Sequence, residues 1–264
     1  DLGIFSNVGY KINHNQILSI YGRVDDHNTT GRNNTYKLNF TQFLGPFKFG
    51  GTHSTGLRNP TLYELYGSDN YGIGGNTNLS PEKSETNEIY GEYNFSKSIK
   101  FSSTGYRAKV FDRIETNSAY SMHENELVDI NQEGLENQLM INKNDQKISL
   151  FTNFSKSRKA NGQAQSRRPD LSYGLNYRKK IDSKKYGLFN FDLNYKYTGK
   201  FIDYDGSKNS FQKSTDLIDL SIKKNWFGNI FSINLTNLLN ERYEKPATYS
   251  QDGRKLKLSL NRSF

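Results

Sequence analysis

Few side chains in this chain are placed to do covalent chemistry. The four histidines, His14, His27, His53 and His123, fall in separate segments, without the close pairing along a helix or strand that a metal site requires. There is no cysteine, so thiolate metal sites, nucleophilic thiols and a disulfide scaffold are excluded. Gly72-Ile73-Gly74-Gly75 has the glycines of a phosphate-cradling loop but lies outside any strand-turn-helix setting, and reads as a flexible loop. Asp203-Tyr204-Asp205-Gly206 opens like a calcium loop, yet no glutamate completes it at the proper offset, and it reads as a polar turn. No His/Ser/Asp set marks a hydrolase. The expectation is therefore no catalytic residue, no bound metal and no resident cofactor, which leaves binding or transport. Those functions depend on how the chain holds its polar and aromatic side chains.

The net charge of +9 raises nucleic-acid binding as a first reading. The lysines argue against it, because they are scattered singly between apolar residues, as in Lys255-Leu256-Lys257-Leu258. The densest cluster, Arg178-Lys179-Lys180, falls at the end of a segment. These charges describe a solvated surface, not a fold or a nucleic-acid groove. Only 33% of residues are hydrophobic but 14% are aromatic, a mixture that is neither disordered nor typical of a soluble core. No apolar run approaches the length of a membrane-spanning helix.

The dominant period is two. Phe189, Phe191, Leu193, Tyr195 and Tyr197 alternate with Asn190, Asp192, Asn194, Lys196 and Thr198. Leu171, Tyr173, Leu175 and Tyr177, then Ile218, Leu220 and Ile222, then Phe231, Ile233 and Leu235, and finally Leu256, Leu258 and Leu260 alternate with polar neighbours in the same way. Successive strand residues point to opposite faces, so each segment is a strand with one apolar and one polar side. The class is all-β. About thirteen strands result, near 1–11, 16–26, 34–43, 47–57, 84–95, 98–116, 126–142, 146–157, 168–180, 187–202, 214–225, 229–239 and 253–264. Short connections alternate with longer ones, the longer being near 27–33, 58–83, 117–125, 158–167, 203–213 and 240–252. An antiparallel up-and-down meander produces this alternation.

A soluble sandwich, such as an adhesin, and a transmembrane barrel both tolerate such strands. Three features favour the membrane. Gly187 to Ile202 would extend roughly 50 Å, more than the ~9–11 residues of a tilted crossing. The apolar parity carries almost no charge mid-strand, where lipid-facing Lys or Arg costs about 2–4 kcal/mol. Arg262 is the exception and lies near the end of its segment, where that cost is small. Aromatic residues such as Tyr10, Tyr21, Phe43, Phe47, Phe95, Tyr177, Tyr197 and Phe201 recur near segment ends, as interfacial girdles require. The expected architecture is an antiparallel up-and-down transmembrane β-barrel with a polar lumen.

Two stretches carry a family resemblance. Leu57-Arg58-Asn59-Pro60-Thr61-Leu62-Tyr63-Glu64-Leu65-Tyr66-Gly67, followed by Gly75-Asn76-Thr77-Asn78-Leu79-Ser80-Pro81-Glu82-Lys83-Ser84, resembles a segment of TonB-dependent outer-membrane receptors. Asn237-Leu238-Leu239-Asn240-Glu241-Arg242-Tyr243-Glu244, then Gly253-Arg254 and the alternating run to Phe264, resembles that family's closing hairpin. Tyr106 to Glu115 and Arg167-Arg168-Pro169 add weaker likenesses, together similar to the cobalamin-transporter branch. The family has a plug domain and a barrel of roughly 22 strands. No plug or energy-coupling box is recognised in these residues, so 1–264 is expected to be the C-terminal part of the receptor barrel, or otherwise a smaller barrel that closes by itself.

The resemblance implies an outer-membrane receptor and transporter of a Gram-negative bacterium that takes up a scarce metal chelate, cobalamin or an iron-siderophore. Energy would come from the TonB complex through the plug. Expected partners are the chelate, outer-membrane lipid and, through the terminal Phe264, the barrel-assembly machinery; nucleic acid is not expected. Extracellular loops would grip the ligand, and Tyr63, Tyr66, Asn70, Tyr71 and Asn76 are candidates by their position in the 58–83 loop. Packing that orders the loop accounts for these residues equally well. The alternative is a passive porin-like channel, which has no need of the 58–83 motif.

Overall fold

The computed structural model describes residues 2–69, 72–204, 208–226 and 228–262. Its elements follow the period-two segments closely. They are β1 (Leu2–Asn13), β2 (Gln16–His27), β3 (Gly31–Leu44), β4 (Phe47–Arg58), α1 (Leu62–Tyr66), β5 (Glu82–Ser96), β6 (Ile99–Phe111), β7 (Ile114–Thr116), β8 (His123–Asn125), β9 (Ile130–Lys143), β10 (Gln146–Lys159), β11 (Leu171–Ser183), β12 (Gly187–Thr198), β13 (Phe201–Tyr204), β14 (Asn209–Gln212), β15 (Thr215–Trp226), β16 (Asn229–Thr236) and β17 (Lys255–Arg262). Thirteen of these strands form the main sheet in chain order. The other four form two small hairpins, β7–β8 and β13–β14, inside the long connections.

Of the boundaries that differ from the sequence expectation, three have a clear local cause. The expected strand 98–116 stops at Phe111, because Asp112 takes a positive φ of 52° and Ile114 to Thr116 pair with β8 instead. The expected strand 187–202 stops at Thr198. The Gly199 N–H bonds to the Leu171 carbonyl at 2.8 Å, and Phe201 to Tyr204 then pair with β14. β12 is therefore roughly 40 Å long at about 3.3 Å per residue, still ample for a crossing. The 27–33 connection is not long. β2 and β3 pair out to His27 and Gly31, leaving a three-residue turn closed by Gly31 at φ 68°, a conformation that favours glycine.

The chain divides into two compact units, one comprising 1–91, 104–134 and 157–164 and the other 92–103, 135–156 and 165–264. In the first, cross-strand partners Ile20 and Leu38, then Leu18 and Phe40, share one face. The opposite face carries a hydroxyl and amide cluster. Tyr90 OH and Thr41 Oγ1 are 2.6 Å apart, and Thr52 Oγ1 donates to Asn39 Oδ1 at 2.9 Å. In the second, Leu193 faces Leu220, and Ile233 lies between Ile222 and Leu258. The other face pairs Ser221 with Asn234 and Ser232 with Ser259.

The accessible surface inverts the rule for soluble proteins. Leu258 is 69% exposed while Ser232, on the opposite face, is 7% exposed. Phe5, Phe49, Phe154, Leu256 and Leu260 are exposed as well. The buried apolar residues among those described, Leu65, Leu79, Ile114, Ile130 and Ala247, lie in the long connections or at a strand end beside one. A strand sheet with its apolar face outward and its polar face satisfied by internal hydrogen bonds is stable against lipid and costly in water. A water-soluble sandwich or adhesin is thereby excluded.

Candidate functional site

The long connections of each unit form a cluster, and the two clusters are built differently. In the first unit, Pro60 and Pro81 flank a connection that carries α1. Thr61 caps this single turn. Its Oγ1 accepts the Glu64 N–H at 3.2 Å while Glu64 Oε2 accepts the Thr61 N–H at 2.7 Å, a reciprocal capping box. Arg58 then bridges two carboxylates. Its Nε and Nη2 each donate to Glu82 at 2.7 Å, and its Nη1 and Nη2 reach Glu64 at 3.0 and 3.1 Å. Burial pushes the Glu64 carboxyl up, but the Arg58 guanidinium and the Thr61 donors outweigh it and hold Glu64 below the usual range.

Under this turn, Leu65, Leu79 and Ile114 pack as an apolar cluster. Gly75 crosses the backbone of Leu65 and Tyr66 so closely that a β-carbon there would lie 2.6 Å from three of their atoms. The close crossing lets the Gly75 N–H reach the Gly67 carbonyl at 2.6 Å and the Asn76 N–H reach the Glu64 carbonyl at 2.8 Å. The next long connection is locked to the first: Gly74 N–H donates to the Ser121 carbonyl, and Asn125 bonds both ways with Ser80 and also donates to the Asp112 carbonyl. Glu82 Oε1 accepts the Ile114 N–H at 2.9 Å.

The proposed ligand contacts in this loop now have places. Tyr66 is 63% exposed. Tyr63 is half exposed; its hydroxyl donates to Asp69 at 3.1 Å and its ring meets His123 edge-on. Asn76 commits both ends of its amide within the cluster, donating to the His123 carbonyl and accepting from the Asn78 N–H, each at 2.9 Å. Asn70 and Tyr71 lie outside the described residues. Most of the motif thus builds a rigid platform, and its exposed tyrosines are what it presents.

The second unit uses polar pins. Asp203 is fully buried. Its Oδ1 accepts from Arg167 Nε at 2.7 Å and from the Tyr204 N–H at 2.8 Å, and its Oδ2 accepts the Ala247 N–H at 2.8 Å. One carboxylate thus ties three connections together. Burial pushes Asp203 up, but the Ala247 N–H, Arg167 and the Tyr204 N–H hold it below the usual carboxylate range. Asn237, in the left-handed conformation at φ 51°, is a second pin. Its amide donates to the Glu241 and Asp252 carbonyls at 2.8 and 3.0 Å and accepts the Glu241 N–H at 2.8 Å. Asn240 Oδ1 accepts the Arg254 N–H at 2.9 Å. The closing motif thus fixes the 237–254 connection by hydrogen bonds, with Ala247 its one buried apolar side chain among the described residues. On the polar face of β12 and β15, lined also by the 199–214 and 237–254 connections, lies a cavity of about 790 Å³.

Comparison with known proteins decides the family. The family model described as TonB dependent receptor-like, beta-barrel, matches residues 1–238. The chain belongs to the TonB-dependent receptors. It is 25% identical over 248 residues to the vitamin B12 transporter BtuB of Vibrio cholerae serotype O1, covering 92% of this chain and 39% of that protein. Among solved structures, the siderophore receptor PirA of Acinetobacter baumannii matches with a TM-score of 0.81 at 18% identity, over 99% of this chain and 45% of that one. The ferripyoverdine receptor of Pseudomonas aeruginosa matches with a TM-score of 0.76 at 15% identity, over 98% and 38%. The fold is that of the barrel of these receptors, and the chain spans about two fifths of the curated relatives' length.

As a TonB-dependent receptor barrel, the chain belongs to a family of receptors and transporters, not enzymes. Nothing in these matches favours a passive porin-like channel. The cluster that sequence reasoning passed over is the cavity of the second unit. Asp203, which its sequence places in a polar turn, is buried and bonded to Arg167, Tyr204 and Ala247. The signal available was a cation, Lys196, on the polar parity of the clearest strand; its companions come from separate segments, and spacing alone does not assemble them.

Proposed function

We propose that this chain is the C-terminal barrel part of an outer-membrane receptor and transporter of a Gram-negative bacterium, for uptake of a scarce metal chelate, cobalamin or an iron-siderophore. The observation that carries the reading is the receptor-barrel match over 1–238 on a sheet whose exposed face is apolar. In this reading residues 1–264 supply part of a larger barrel of roughly 22 strands. A plug domain encoded elsewhere in the whole protein couples uptake to the TonB complex.

The exposed tyrosines of the 58–83 platform, Tyr63 and Tyr66, make first contact with the ligand, with Asn70 and Tyr71 beside them in sequence. Asn76 holds the platform in shape. Aromatic faces suit a bulky chelate, since they offer large contact area at small conformational cost. The test is uptake by the full-length protein in cells lacking other receptors. Radiolabelled cobalamin or ferric siderophore should accumulate only when the inner-membrane energy complex is intact. Equal accumulation after loss of that complex would make the protein a passive channel and overturn the reading.

A further inference from the structure

The apolar face of the second unit changes character at the end reached by the short turns. Lys179 faces Phe191 across β11 and β12, Lys224 lies between Phe189 and Phe231, and Arg262 faces Asn229 one step beyond the Phe231 and Leu260 pair. All three share the parity of Leu193, Leu220, Ile233 and Leu258, so they stand on the outward face and not in the lumen. The β11–β12 turn adds two exposed cations, Lys184 and Lys185, the second with its ammonium 5.1 Å from the centroid of the Tyr186 ring. Among the described residues of β10, β11, β12, β15, β16 and β17, the one carboxylate of outward parity is Asp216. It lies at the opposite end of the face, where the Tyr195 hydroxyl donates to it at 2.7 Å.

Pairing within the sheet does not account for this rim. Arg178, one residue before Lys179, has the opposite parity and bonds Asp192 at 2.5 Å. Lys179 and Lys184 have no carboxylate partner among the described residues. A lipid-facing Lys or Arg is costly in hydrocarbon and tolerated near the interface, where its stem lies on apolar surface while the charge reaches the headgroups. That surface is present: Tyr177, Phe189, Phe191 and Phe231 occupy neighbouring positions of the same face. Successive cations Lys179, Lys224 and Arg262 lie two strands apart, about 10 Å across the sheet. One phosphate does not bridge that distance, so each cation takes its own.

We propose that this rim binds anionic phospholipid in the leaflet on the short-turn side, with lipid phosphates held by Lys179, Lys224 and Arg262 and acyl chains lying over Phe191, Ile222 and Leu258. The inference rests on the receptor-barrel reading and adds to it a lipid partner of defined charge. Phosphatidylethanolamine carries its own ammonium and leaves the cations uncompensated, whereas phosphatidylglycerol brings a net negative charge. One Lys or Arg near a membrane surface favours anionic lipid about fivefold. Three of them, spread as a row instead of a pocket, select a short arc of headgroups. The preference belongs to one leaflet, since the far end of the same face carries Asp216.

The experiment measures lipid retention by native mass spectrometry of the full-length receptor, released from neutral detergent micelles to which dioleoylphosphatidylglycerol or dioleoylphosphatidylethanolamine has been added at equal concentration. Phosphatidylglycerol should be retained in preference, and the triple variant Lys179→Gln, Lys224→Gln, Arg262→Gln should bind it at least about tenfold more weakly. A control, Lys180→Gln, Lys223→Gln, Lys257→Gln, removes the same charge from the lumen face and should retain phosphatidylglycerol as the wild type does. Lys179→Gln alone should weaken binding by about fivefold, which keeps the result independent of any misfolding of the triple variant. Raising salt from about 0.05 to 0.5 M should reduce the preference of the wild type. Equal retention of the two lipids by the wild type, or of neither, would overturn the inference. Equal loss in the triple variant and its control would do the same, as would retention of lipid A in place of phosphatidylglycerol. Each of these results leaves the chelate-receptor reading standing, because the uptake assay decides it separately.

Discussion

The loop clusters of the two units solve one problem, ordering long connections above a sheet, by opposite means. The first packs an apolar cluster, Leu65, Leu79 and Ile114, beneath a capped turn and leaves Gly75 no room for a β-carbon. The second is pinned by Asp203 and Asn237, each bonded to two or more backbone groups, and leaves a cavity lined by the connections they hold. Apolar packing closes space, because dispersion and desolvation reward contact without direction. Directional hydrogen bonds hold walls apart at fixed places. A closed platform and an open cavity follow from these two kinds of glue.

Leu65→Ala should show the largest effect. Its buried side chain is lost from a cluster with few other members, at a cost of about 2–5 kcal/mol. Limited proteolysis should then cut the 58–83 connection rapidly while leaving the 199–214 connection protected. Loss of protection in both connections together would show that the clusters are not independent.

Asp203→Ala should cost about 3 kcal/mol, since it strands Arg167 and two backbone donors around a buried site. Hydrogen exchange should rise at Tyr204 and Ala247 and remain unchanged at Gly75 and Asn76.

Acid should give a weaker version of that result. The folded Asp203 carboxyl lies below its unfolded value, so its contribution is complete above the unfolded value and is lost as pH falls through the folded one. Between neutral pH and pH about 5 no change is expected; below about pH 4, exchange at Ala247 should accelerate. Glu64 is depressed in the same direction, so the first cluster should loosen in acid too, but its apolar packing should leave it the more protected of the two.

Tyr66→Ala should have the smallest effect on stability, within about 0.5 kcal/mol, because the side chain is exposed. It should lower ligand capture at unchanged thermal stability. A stability loss comparable to that of Leu65→Ala would move Tyr66 from the displayed surface into the packing.

What was readable in the sequence was whatever has a short period. Phe189, Leu193, Leu220, Ile233 and Leu258 announce their face because every second residue does the same, and turns between such runs stand out. The end of β6 was not readable, since it depends on the left-handed Asp112, whose carbonyl accepts from Asn125 thirteen residues away. The 58–83 motif was legible as a family mark, but whether Asn76 faces a ligand or the His123 carbonyl is set by a neighbouring connection. The cavity was the least visible. Lys196, Lys213, Arg242 and Lys245 meet only after a strand, a hairpin and a wide loop have folded.

The strict alternation of the strands also bears on how such a chain travels. Oily residues at every second position never accumulate into a greasy run, so no single segment is hydrophobic enough to stop in a lipid layer it is being threaded through. Only when neighbouring strands pair do the scattered side chains merge into a continuous apolar belt. Membrane affinity is thus a property of the assembled sheet, withheld from the nascent polymer until its backbone has found partners.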